Sequence, residues 1–117
     1  MIWLITQVAI GGALGSVLRY LTVSVVGGPV ASLAVNVAGS LLMGVFFVVL
    51  SSRAQLSPLL MTGVLGGFTT FSAFSLDALR LYDGGQTAQA LLYVTGSVLL
   101  SLIAVALGAA LTRGALG

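Results

Sequence analysis

The stretch GGFTTFSAF, residues 66–74, sets two glycines, two threonines and a serine among three phenylalanines in the middle of an apolar run. In a helix each glycine costs about 1 kcal/mol relative to alanine and each threonine somewhat less, so a helix entering this stretch is expected to loosen at Gly66-Gly67 and Thr69-Thr70. Inside a bilayer, unwound backbone survives only where protein or a bound ion satisfies it, and broken membrane helices commonly turn freed carbonyls toward a cation. Phe68, Phe71 and Phe74 are three apart, so in a continuous helix successive members share a face. Their ring edges are the positive part of the aromatic quadrupole and are able to solvate a small anion, although phenylalanines at this interval also serve ordinary packing. One short segment is thus expected to present carbonyls on one side and phenyl edges on the other.

Outward from that stretch the chain is a membrane protein. Of its 117 residues 59% are hydrophobic and 5% charged, and its mean hydropathy of +1.23 lies far above that of soluble domains. Apolar runs at about 2–26, 30–50, 57–81 and 87–112 each reach the roughly 20 residues that cross a hydrocarbon core. The third is fully apolar only to about residue 76. Gly27-Gly28-Pro29, the Ser51 to Pro58 segment and Asp83-Gly84-Gly85 punctuate the runs. The expectation is an all-α membrane protein, a single transmembrane domain over 1–117 with four helices per chain, the third broken near its middle. The first run has no cleavable leader pattern and is expected to persist as a span.

Charge narrows the partners. Arg19, Arg53, Arg80 and Arg113 against Asp77 and Asp83 give a net charge of +2, too sparse for a nucleic-acid footprint, so the partner surface is lipid and not nucleic acid. With the N-terminus, Arg53 and Arg113 fall on one side and Arg19 and Arg80 on the other, two arginines each. The bias that fixes insertion is close to nil. A chain so balanced either inserts both ways and pairs as an antiparallel homodimer, or keeps one orientation on a weak signal. Gly11/Gly15 and Gly63/Gly67 have the four-residue spacing of close helix contacts. Association of copies is their natural use, with packing between the chain's own spans as the alternative.

Polar side chains within the spans carry the chemistry. Asn36, about a third of the way along the second span, cannot face lipid without losing its hydrogen bonds. Tyr93, Ser97 and Ser101 recur every four residues and form one hydroxyl stripe on the last span. Such serines either line a polar path or bond back to the preceding turn's carbonyl. Neutral donors without lysine, and without a carboxylate at mid-depth, suit an anion. Enzymatic chemistry is not expected. The chain has no cysteine, histidine, lysine or glutamate, so Asp77 and Asp83 lack a catalytic partner and read as interfacial charges near Arg80. A proton-coupled drug antiporter of this size would need a membrane-embedded glutamate.

GGALGSVLRY (11–20), AVNVAGSLLMG (34–44) and GVLGGFTTFSAF (63–74), in that order and followed by Tyr93, Ser97 and Ser101, resemble the CrcB/Fluc fluoride channels over nearly the whole chain. The resemblance implies a passive, fluoride-selective channel of the inner (plasma) membrane that exports fluoride and relieves its toxicity. It further implies an antiparallel dual-topology homodimer with two pores and a structural sodium ion at the dimer interface. By position, Asn36 is then the pore amide, Phe71 and Phe74 supply the ring edges, and Tyr93, Ser97 and Ser101 form the polar track. The carbonyls of Gly66 and Thr69 hold sodium, and Arg19 stands at the pore entrance, where snorkelling to the interface is its alternative role. Ser16 and Ala73 depart from the family's usual alanine and threonine, and Ala73 removes a hydroxyl beside the phenylalanines. Hydrogen fluoride crosses membranes when neutral and ionises in a more alkaline cytoplasm, so a passive exit for the trapped anion needs no energy coupling.

Overall fold

The computed structural model describes residues 1–116. Helices α1 (Ile2–Val26) and α2 (Gly28–Val49) form the first two spans. The third is segmented: a π-helical turn set over Pro58–Leu65, a short α3 (Gly66–Phe68), and α4 (Phe71–Asp83). The last span is α5 (Thr87–Leu116). Among the described residues four stretches are long and apolar enough to cross a membrane, and the longest dimension, 48 Å, exceeds the roughly 40–45 Å of a bilayer with its headgroups. The chain is a multi-pass membrane protein.

Turn chemistry sets the boundaries. Only Gly27 separates α1 from α2, at a φ of 73° that favours glycine. Pro29 sits in the first turn of α2, where its fixed φ suits a helix start, so the helix begins slightly before the apolar run does. After α4, Gly85 adopts a φ of 80°, and the Gln86 N–H returns to the Leu81 carbonyl at 2.9 Å. That reversal satisfies the last carbonyls and sends the chain back as α5. Because each connection reverses direction, α2 and α5 run parallel.

Glycine ridges hold the spans together within one chain. A Cβ on Gly11 would strike Leu59 and Gly63, one on Gly15 would strike Val64 and Phe68, and one on Gly67 would lie 2.6 Å from the Gly12 carbonyl oxygen. The two ridges therefore face each other across the first and third spans, and the expectation that they join separate copies is corrected. Gly44 and Gly108 do the same for α2 and α5: a Cβ on either would meet the other helix's backbone at Val105 or Leu41. With lipid as apolar as leucine, close backbone approach supplies the attraction that water supplies elsewhere. Long aliphatic side chains such as Leu92 and Leu107 stay exposed on the outer faces.

Candidate functional site

The break in the third span lies at Thr69-Thr70, where the backbone turns extended (ψ 156° at Thr69, φ −150° at Thr70). Gly66 and Gly67, expected to loosen the span, stay helical. Asn36 holds the chain open. Its Oδ1 accepts from the Thr70 N–H at 2.8 Å and its Nδ2 donates to the Thr70 carbonyl at 2.9 Å. One side-chain amide thereby pairs both backbone groups of a single residue, as a neighbouring strand would. The second Nδ2 hydrogen remains unused.

This clamp has consequences for the carbonyls around it. In an unbroken helix the Thr70 N–H would close on Gly66 and the Ala73 N–H on Thr69. Here the first goes to Asn36 and the second to the Thr70 hydroxyl, at 3.1 Å, which caps α4. The carbonyls of Gly66 and Thr69 lose their helical donors together, and Gly66 is exposed. The next carbonyl, of Gly67, accepts from Arg19 Nε at 3.2 Å. Arg19 is thus tied to the end of α3.

Beside the break lies a cavity of about 410 Å³. Asn36, Thr69, Thr70, Phe71, Phe74, Ser97 and Ser101 line it, so most of the residues read from the sequence as pore residues meet here. Ser97 is buried, and its hydroxyl has no hydrogen-bond partner among the described residues. Ser40, on α2 one turn beyond Asn36, lines the same cavity; the sequence reading missed it, although its four-residue spacing from Asn36 was the signal that would have found it. The two rings differ. Phe74 is buried, whereas Phe71 is 77% exposed, 5.4 Å away in an edge-to-face arrangement. Phe68 precedes the break on α3, so the expectation that successive phenylalanines share a helical face holds only for Phe71 and Phe74.

Tyr93 stands apart from the cavity's polar wall. Its ring packs on Phe74, with centroids 5.3 Å apart, and its hydroxyl donates to Asp77 Oδ2 at 3.3 Å. Asp77, read from the sequence as an interfacial charge near Arg80, is half-buried and also engaged by the last span. It shares a second cavity of about 240 Å³ with Arg19, Arg80, Ser32 and Ala73. The two arginines assigned to one side by the charge count do lie together. Ala73 faces this second cavity, so a threonine hydroxyl at that position would point away from the wall lined by Ser97 and Ser101.

Known proteins share most of this chain's length. The family model described as "CrcB-like protein, Camphor Resistance (CrcB)" matches residues 6–109. The protein named "Fluoride-specific ion channel FluC" of Paracoccus denitrificans (strain Pd 1222) is 51% identical over 116 residues, covering 92% of this chain and 93% of its own. A protein of the same name from Cereibacter sphaeroides (strain ATCC 17029 / ATH 2.4.9) is 53% identical over 121 residues, covering 97% and 98%. A third, from Saccharophagus degradans (strain 2-40), is 46% identical over 123 residues, covering 97% and 90%.

Proposed function

We propose, from the premise that this chain belongs to the CrcB-like protein family, that it is a fluoride-selective passive channel of the plasma membrane that lets fluoride leave the cytoplasm. The family transports an ion and is not an enzyme. The observation that carries the reading is the cavity beside the Thr69-Thr70 break, walled by neutral donors: the spare Asn36 N–H, the partnerless Ser97 hydroxyl and the Ser101 hydroxyl. A small anion stripped of water needs hydrogen-bond donors held in place, and a fixed cation there would bind it too tightly to release. Phe74 adds a ring fixed between Phe71 and Tyr93, and Asn36, held by Thr70, does not have to reorganise as the ion passes.

The working unit of this reading is an antiparallel homodimer with two pores. Phe71 is exposed on one chain and would be covered by a second copy. The balanced arginines leave both orientations open to insertion. The freed carbonyls of Gly66 and Thr69 are neutral oxygen donors of the kind a sodium ion takes, two from each chain, and such a site fits these residues. A bound sodium supplies positive charge that holds the two broken segments against each other. Arg19, tied to Gly67, draws anions toward the second cavity.

The test is flux. Purified protein reconstituted into liposomes is expected to dissipate a fluoride gradient while a chloride gradient of the same size persists. Equal release of both anions, or of neither, overturns the assignment.

A further inference from the structure

The sequence shows one polar stripe, Tyr93, Ser97 and Ser101, and an isolated Asn36. In the fold Asn36 is the middle of a second one. Ser32, Asn36 and Ser40 recur every four residues along α2 and lie on one side of that helix. Because α2 and α5 run parallel and approach closely at Gly44 and Gly108, the two stripes run side by side in the same direction, Ser32 beside Tyr93, and Asn36 and Ser40 on the cavity that Ser97 and Ser101 also line. Ser32 is buried beside the Tyr93 hydroxyl. Asn36, Ser40, Ser97 and Ser101 line one cavity.

We infer that Ser40 is a second-wall contact for the permeating anion, completing a two-sided hydroxyl path in which α2 and α5 each supply donors at successive depths. Three observations carry this. Hydroxyls on the helices of this chain commonly bond back to a carbonyl four residues earlier, as Thr6, Thr22, Ser24, Ser75 and Thr112 do. Among the described residues Ser40 has no such bond, so its proton is free for the cavity it lines. The facing wall holds Ser97, more than nine-tenths buried with its hydroxyl partnerless, which marks the space between as a place where a ligand completes the hydrogen bonding. Beyond Ser40 and Ser101 the cavity wall turns apolar at Met43, Leu102 and Val105. Ser40 on α2 and Ser101 on α5 are therefore the last hydroxyls before that end, where an anion leaving Ser97 would otherwise have donors on one side only.

The inference rests on the fluoride reading, and its test separates the two. Fluoride efflux is measured from liposomes carrying the wild-type chain, Ser40→Ala, Ser40→Thr and, as a control, Ser24→Ala, whose hydroxyl is bonded back on an exposed side of α1. Wild type that moves no fluoride sinks the functional reading. With wild type conducting, Ser40→Ala is expected to lower the rate about tenfold, the effect of one lost ion–hydroxyl bond at the barrier, with Ser40→Thr within about twofold of wild type and Ser24→Ala unchanged. Equal rates for wild type and Ser40→Ala overturn the inference and leave the channel reading standing. Because the chain has no native cysteine, Ser40→Cys provides a second measure independent of how well the alanine variant assembles. Silver ion is expected to block fluoride flux through it by more than tenfold and to leave wild type untouched, and insensitivity to silver overturns the proposal.

Discussion

At the residue scale Asn36 does two jobs with one amide. Its Oδ1 and one Nδ2 hydrogen hold Thr70, and the remaining hydrogen is free for the cavity. Asn36→Leu leaves both Thr70 backbone groups unpaired in a medium without water, at about 1–3 kcal/mol each. The expected outcome is a large drop in the unfolding midpoint in detergent together with lost fluoride flux. Flux lost at unchanged stability would mean that the clamp does not matter. The phenylalanines separate differently. Phe71→Ile changes an exposed ring, whereas Phe74→Ile also disturbs packing against Tyr93. Both are expected to slow fluoride with assembly intact, and only Phe74→Ile to cost stability, by about 1 kcal/mol for the lost aromatic contacts. Efflux and denaturation measured on the same preparations decide both points. Asn36 and the hydroxyls were legible in the sequence because polar groups in an apolar span stand out. Asn36's partner was not, since the two residues are 34 apart and neither side chain names the other.

At the element scale glycine does two different things that composition does not distinguish. In the third span Gly66 and Gly67 keep helical backbone, and Gly67 serves close approach to Gly12. Thr69 and Thr70 break the span, and the Thr70 hydroxyl caps α4. On α5 the same contrast gives a measurable outcome. Gly108 stands against the Leu41 carbonyl with no room for a Cβ, whereas a Cβ on Gly96 would meet nothing within 4 Å. Gly108→Ala must move backbone against backbone and is expected to destabilise by about 1–3 kcal/mol, the usual range for overpacking. Gly96→Ala is expected to be neutral or to gain up to about 1 kcal/mol of helix propensity. Thermal unfolding of the two variants side by side checks the assignment, and similar losses would contradict it.

At the scale of the whole molecule, the proposed antiparallel pair and its sodium site are open to direct measurement. Cysteines placed at both termini, in a chain that has none of its own, are expected to be labelled from both sides of the membrane within one population. Labelling from a single side defeats the antiparallel arrangement. Sodium in place of a bulky organic cation is expected to raise the unfolding free energy by about 2.7 kcal/mol once it reaches a hundredfold excess over its dissociation constant, and no shift would remove the ion from the assembly. The sequence by itself determined the solvent, the number of spans, their connections and the family, because hydropathy and short motifs are sums over neighbouring residues. It also marked residues 66–74 as the place of the break. Tertiary structure decided that the break falls on the threonines, that the glycine ridges meet within one chain, that Asp77 answers Tyr93, and that the polar residues of α2 and α5 meet at one cavity. Each depends on which distant backbone or side chain supplies a hydrogen bond or permits an approach, and that information exists only once the helices are side by side.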